Sequence, residues 1–257
     1  MKDVKILPLS SFLPQPLAFW PMISLYQLTS KPSSCSYLPE QSASMHYMFV
    51  AEASAEDYQA HLLKGWRRFG RAFFHPVCKE CRACQSLRVP AATFKPNRSQ
   101  KRALKANKDV KLVVSAPSVT DEKLALHARF HEFQAEHVGW TLHEPKDPQE
   151  YAETFMDNPF PTEEWCYYVD GRLIGVGHVD VLPNGLSAIY FFYDPDERDR
   201  SLGTYNVMRV IRSAKKSRIP YVYLGYFVEG CRSLEYKGRF QPNEVLREDG
   251  SWSLFRE

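Results

Sequence analysis

The chain has 257 residues, enough for one large domain or two small ones with a substantial core. Hydrophobic residues make up 44%, charged residues 25% and aromatics 14%. That globular composition excludes a disordered chain, and no apolar run of about 18 residues escapes proline, which excludes an ordinary membrane span. The formal net charge is only +3.

Residues 6–30 carry no charge, but Pro8, Pro14, Pro16 and Pro21 interrupt them. A secretory signal wants an unbroken apolar run of about 7 to 15 residues and a small-residue cleavage site. Neither is clear here, so residues 1–22 read as an N-terminal extension of a cytoplasmic protein.

The cysteines are Cys35, Cys78, Cys81, Cys84, Cys166 and Cys231. Cys78-Lys-Glu-Cys81-Arg-Ala-Cys84 has the tight spacing of a metal-binding loop in a reducing compartment, a spacing that disulfides fit poorly. Zinc or an iron–sulfur cluster usually takes four protein ligands. Cys35 is the natural fourth, because Cys166 and Cys231 lie in segments that read as sheet and its edge; His75 is the alternative. A structural zinc or iron–sulfur cluster is therefore the metal expected.

Ser54-Ala-Glu-Asp57 is a capping sequence ahead of a helix over residues 58–66. Phe73 and Phe74 predict a short strand entering the cysteine loop, and residues 86–94 a second strand. Pro96 and Asn97 then start a basic helix over residues 98–107, in which Arg98, Lys101, Arg102, Lys105 and Lys108 recur at three and four residues. Residues 64–108 hold thirteen Lys and Arg against the single acid Glu80, a local charge of +12 that leaves −9 for the rest of the chain. Such asymmetry points to a polyanion partner. Arg67, Arg68 and Arg82 join Arg98, Lys101, Arg102 and Lys105 as candidate RNA ligands, with Trp66 or Phe69 available to stack on an unpaired base.

The composition turns acidic near Asp109, which divides the chain into a basic cysteine-containing unit, 23–108, and a second unit, 109–257. The latter opens with a strand over 110–115. Thr120 caps a helix whose Leu126, Phe130 and Phe133 form a core-facing stripe ending near Gly139. His127, His131 and His137 on that helix lack the HExxH spacing and read as ordinary histidines. Strands over 165–169, 172–182 and 186–193 are separated by Asp170-Gly171 and Asn184-Gly185, dipeptides that favour tight hairpins. Ser201 opens a helix to about residue 216, and Pro220 leads into a strand over 221–227. A meander, a helix and a strand give the order of an α+β, GNAT-like acyltransferase domain. Arg200-Ser-Leu-Gly203-Thr-Tyr205 lacks the second glycine of an acetyl-CoA loop, which points to a different acyl donor.

Several of these stretches resemble one known family. Cys35-Ser-Tyr-Leu-Pro39, Gly65-Trp-Arg-Arg68, the segment from His75 to Val89 and that from Phe94 to Arg102 are similar to the amino-terminal half of aminoacyl-tRNA-protein transferases. Residues 185–196, 201–205, 223–226 and 231–240 are similar to the carboxy-terminal half. The pattern most resembles the bacterial aspartate/glutamate leucyltransferase branch. Two positions depart from it, Phe69 where a serine is usual and Glu136 where an arginine is common.

The resemblance implies transfer of leucine from Leu-tRNA to the N-terminal Asp or Glu of a protein, marking it for degradation. Arg-tRNA as donor, or acetyl-CoA in a GNAT-type acetyltransferase, are the alternatives. The donor ester is already activated, so the transfer needs no cofactor, and no P-loop is present. What remains is alignment, removal of one proton and stabilisation of an oxyanion. Gly203 and Thr204 could supply backbone N–H groups to the oxyanion. Asp194 and Glu229 are candidates for proton handling, with Tyr226 and Tyr236 as relays. Lys237 or Arg239 could pair with the acidic side chain of the acceptor beside Tyr193. A monomer is expected.

Overall fold

The computed structural model describes residues 22–255, so the extension expected over 1–22 lies outside it apart from Met22. Strand β1 (Ile23–Thr29) is followed by the two-residue strands β2 (Ser33–Ser34) and β3 (Ser42–Ala43) and by β4 (Met45–Glu52). Ser54 then starts α1 (Ala55–Leu63) with a capping box: its hydroxyl takes the Asp57 N–H at 3.0 Å while Asp57 takes the Ser54 N–H. The hairpin β5 (Arg67–Phe69) and β6 (Ala72–Pro76) completes a four-stranded antiparallel sheet in the order β1-β4-β6-β5. Its turn depends on Gly70 at φ +50°, where a Cβ would stand 2.1 Å from the Glu153 carbonyl oxygen.

The chain next enters a larger sheet with β7 (Gln85–Pro90) and covers it with α2 (Arg98–Ala106), capped by Asn97. Then follow β8 (Lys111–Ser115), α3 (Asp121–Val138), α4 (Pro148–Phe155) and the meander β9 (Thr162–Val169), β10 (Arg172–Leu182) and β11 (Gly185–Tyr193). Helix α5 (Leu202–Lys216) crosses over to β12 (Tyr221–Phe227), and a turn containing α6 (Arg232–Glu235) leads to β13 (Glu244–Leu246) and β14 (Trp252–Leu254). The order is β14-β13-β7-β12-β11-β10-β9-β8. Among the described residues only β11 and β12 pair in parallel, as the crossover requires.

The larger sheet runs across the boundary expected at residue 108. Strand β7, from the basic cysteine-containing stretch, lies between β12 and β13 and pairs with both. The cysteine loop is thus anchored in the larger sheet and does not precede it as a separate small domain.

Alternation along the strands separates two cores. Val222 and Leu224 of β12 face α5, with Val207, Ile211, Leu87 and Val89, whereas Tyr223 faces the smaller sheet and α1, with Phe73, Tyr58 and Leu62. On that second face α3 and α4 pack Leu126, Phe130 and Phe155 against Val176 and Phe192. Each such fully buried side chain stabilises the fold by about 1.5–3 kcal/mol. Two ion pairs lie within these layers, Arg68 with Asp180 and Lys123 with Glu164. Among the described residues no helix is long and apolar enough to cross a membrane.

Candidate functional site

The parallel pairing of β11 with β12 covers three residue pairs, Gly185 with Tyr221, Leu186 with Val222 and Ser187 with Tyr223. Strand β11 continues to Tyr193 and β12 to Phe227, so beyond Ser187 the two part. Gly225, at φ +82°, sits at a register shift against β7 and turns β12 away. A strand edge left open in the middle of a sheet offers N–H and C=O groups to an extended peptide.

The β5–β6 hairpin borders this gap. Arg67 and Phe69, two residues apart on β5, share one side of the strand. The Phe69 ring meets that of Tyr190 on β11 at 5.9 Å, and the Arg67 guanidinium stands 5.3 Å over the ring of Tyr226 on β12. Behind Tyr190 lies His131 of α3, its Nε2 2.8 Å from the tyrosine Oη, and the His127 ring lies 4.2 Å from that of His131. Burial, then the Lys146 charge, lowers the pKa of His131, so the ring is held neutral. Burial also raises that of Tyr190.

On the β12 side, Lys237 points inward from the turn that follows α6, and its Nζ donates to the Tyr226 carbonyl at 3.0 Å. Burial, and next the charge of Arg67, brings its pKa down to about 7. Tyr236 packs beside the core, its hydroxyl pushed up to about 12 by burial and then by Tyr193.

Several expected roles do not survive these positions. Arg68 is fully buried and grips Asp180 with two nitrogens, Nε to Oδ2 at 3.0 Å, so it cannot meet RNA. Arg67, 8% exposed, is equally shut off from a nucleic-acid backbone. Asp194, 2% exposed, is no free base: Arg129 donates to Oδ1 at 2.9 Å, Arg172 holds Oδ2, and Oδ1 caps the following turn at the Asp196 N–H. Tyr226 is a poor relay, since its buried hydroxyl donates to the Gly65 carbonyl at 2.9 Å.

Other candidates keep accessible positions. Arg98, Lys101, Arg102 and Lys105 are exposed along α2, while Gln100 and Ala103 pack inward. Arg82 is exposed and braces the cysteine loop, donating to the Cys81 carbonyl at 3.0 Å. Arg239 points outward, its own carbonyl taking a hydrogen bond from Gln100 at 3.1 Å. Glu229 is exposed just after β12. Gly203 and Thr204 stand in the first turn of α5, where helical N–H groups have no partner within the helix, and space beside Gly203 is open.

Cys35, Cys78, Cys81 and Cys84 line one cavity of about 620 Å³, together with His75, Tyr37 and Tyr226. All four are free thiols. Burial, then the neighbouring Cys35, Cys78, Cys81 and Cys231, pushes the Cys84 thiol up to about 12. The donor set is the soft one that zinc or an iron–sulfur cluster takes. Among the described residues, however, no group of three or more His, Cys, Asp or Glu side chains is drawn together closely enough to hold an ion.

Sequence reasoning missed the gap between β11 and β12, the His131–Tyr190 pair and the inward turn of Arg67. The one available signal for the last was the position of two adjacent arginines on a strand, which must face opposite sides.

The family profile described as Arginine-tRNA-protein transferase, N terminus, matches residues 33–102, and that described as Arginine-tRNA-protein transferase, C terminus, matches residues 122–247. A Campylobacter jejuni protein named aspartate/glutamate leucyltransferase is 36% identical over 224 residues, 86% of this chain and 92% of its own. A Pseudomonas putida protein of the same name is 37% identical over 220 residues, 84% and 92% of the two chains. Among solved structures, FemX gives a TM-score of 0.44 at 9% identity, covering 81% of this chain and 80% of its own. An acetyltransferase of the GNAT family from Staphylococcus aureus gives 0.39 at 14%, covering 57% and 93%. With both halves matched in order over most of its length, the chain belongs to the arginine-tRNA-protein transferase family.

Proposed function

We propose that this protein transfers leucine from Leu-tRNA to the α-amine of proteins that begin with Asp or Glu. The observation that carries the reading is the end-to-end similarity to proteins named aspartate/glutamate leucyltransferase. The Arg67 and Lys237 cations beside the gap suit an acidic acceptor.

In this reading the acceptor peptide extends along the open edge of β11. Its amine nitrogen attacks the ester carbonyl, a C–N bond forms as the C–O bond to the terminal ribose breaks, and the proton the amine loses balances the one the ribose oxygen gains. An α-amine with a pKa of about 7.7 is partly neutral at cellular pH, so alignment is the larger task. His131, neutral and hydrogen-bonded to Tyr190, is the group suited to take the proton, with Glu229 the other candidate. Tyr236 keeps its proton at cellular pH and serves as a donor. The Gly203 and Thr204 N–H groups would face the oxyanion.

The exposed face of α2 supplies phosphate contacts to the tRNA, with Arg239 beside it and Arg82 on the cysteine loop. Cys35, Cys78, Cys81 and Cys84 would hold a structural zinc or iron–sulfur cluster, whose chemistry would be to cross-link the loop; the transfer itself needs no cofactor. A monomer suffices for these roles.

The test is a transfer assay with purified protein, labelled Leu-tRNA or Arg-tRNA, and peptides headed by Asp, Glu, Lys or Ala. Label from Leu-tRNA on acidic termini alone is expected. Transfer from Arg-tRNA only would replace the donor, and acetylation from acetyl-CoA with neither tRNA active would replace the reaction.

A further inference from the structure

The two cations on the β12 side of the gap are not explained by RNA contacts or by folding alone. Arg67 is more than nine-tenths buried, and its Nε and Nη2 have no hydrogen-bond partner. Its Nη1 alone is engaged, with the Trp66 carbonyl at 2.9 Å. Lys237 arrives from the far end of the chain and gives one bond, to Tyr226, which leaves two of its three donors open. Both heads converge on Gly225. A Cβ there would lie 3.4 Å from Lys237 Nζ and 3.8 Å from Arg67 Nε, with nothing else from outside the immediate chain within 4 Å.

The charges of this corner do not balance. Next door, Arg68 is matched by Asp180. Around Lys237 the charges felt are those of Arg67, which repels, and Cys231. Burying two like charges without a counter-ion is costly, and the lowered pKa of Lys237 records that cost. Such an arrangement gains from an anion that enters beside Gly225.

The geometry points to a carboxylate-binding subsite at Gly225, formed by Arg67 and Lys237, that takes the side-chain carboxylate of the acceptor's first residue. The unpartnered guanidinium edge, Nε with Nη2, is a planar fork that matches the two oxygens of a carboxylate. An ammonium opposite completes the contact. A tRNA phosphate is the wrong occupant, because a backbone cannot bring its phosphate to a guanidinium this deep, whereas a single acidic side chain can. The subsite also divides the two cations proposed from sequence: Lys237 reads the acceptor, and Arg239, outside, does not.

This inference rests on the proposed acceptor specificity, so binding and turnover are read separately. Asp-headed and Asn-headed peptides of otherwise identical sequence are titrated calorimetrically into the full-length protein without tRNA, for wild type, Lys237→Met and Arg67→Gln, with inorganic phosphate as a third probe. Wild type is expected to prefer Asp to Asn by about tenfold or more, and each variant to lose most of that preference. Thermal unfolding identifies any variant that fails to fold, and Lys237→Met, which keeps the side-chain volume, carries the conclusion. An Asp preference unchanged in folded Lys237→Met overturns the subsite, as does phosphate displacing the Asp peptide from both variants and wild type alike. The turnover arm compares kcat/KM for the two peptides with Leu-tRNA saturating. Loss of the Asp preference with the KM for Leu-tRNA within about twofold supports the subsite. Absence of leucyl transfer by wild type, with Asp-selective binding intact, removes the proposed reaction and leaves the subsite standing.

Discussion

Arg68 and Asp180 form a two-pronged ion pair with neither side chain exposed, joining the β5–β6 hairpin to the C-terminal part of β10, and Thr162 adds a hydrogen bond to Asp180 Oδ1 at 2.9 Å. Removing one partner leaves the other charge buried and alone. Arg68→Ala is therefore expected to lower unfolding stability by about 3–5 kcal/mol, read from urea denaturation, whereas Arg68→Met with Asp180→Leu costs much less than the two single changes combined. A mild loss in Arg68→Ala would show that the pair holds nothing together.

The exposed face of α2 makes the opposite prediction. Replacing Arg98, Lys101 and Arg102 by Ala is expected to weaken tRNA binding and to flatten the slope of log affinity against log salt by roughly two units. Because all three are exposed, the unfolding midpoint stays put. An unchanged salt slope would move the tRNA elsewhere on the molecule.

Acid is expected to destabilise the α3 face. Burial, then His131, lowers His127 to about 3, below the ordinary value of 6.5. A group whose folded pKa is depressed in this way binds more protons unfolded than folded, so its contribution is complete above about 6.5 and is lost as pH falls toward 3. Unfolding free energy should drop by about 1–2 kcal/mol between pH 7.5 and pH 5 from this residue. His127→Asn should reduce that drop, and an equal drop in wild type and variant would assign it elsewhere.

Metal content tests the thiol cavity. Protein purified without air is expected to carry zinc, or iron with sulfide, and to lose it in Cys35→Ser, Cys78→Ser, Cys81→Ser and Cys84→Ser. Cys166→Ser, a change on β9 outside the cavity, should retain it. Elemental analysis decides the matter, and metal kept by all four cavity variants would dismiss these thiols as ligands.

Local chemistry was the legible part of the sequence. Ser54, Thr120 and the Asp170-Gly171 turn act where their side chains or dihedral freedom require, and Cys35 joins the CxxCxxC loop around one cavity. Relations between distant strands were not legible. Nothing local in residues 85–90 states that they sit between β12 and β13. A count of basic residues cannot separate Arg67 and Arg68 from Arg98 and Lys101, because burial is set by tertiary pairing. Asp194 read as a base for the same reason, its partners Arg129 and Arg172 being far off in sequence. Helix α4 was overlooked although Asp147 and Pro148 mark its start.

The placement of β7 bears on how the protein comes into being. Its two neighbours, β12 and β13, are both made more than a hundred residues later. During synthesis β7 must wait with both edges bare until residues 221–246 have left the ribosome, and Gly225, Tyr226 and Lys237 arrive in that same stretch. Nascent chains can adopt the early hairpins and α1, but they cannot close the sheet. A chain released early would therefore lack both a finished fold and the β12 side of the gap with Tyr226 and Lys237, so incomplete copies should be inert and prone to aggregate through exposed strand edges.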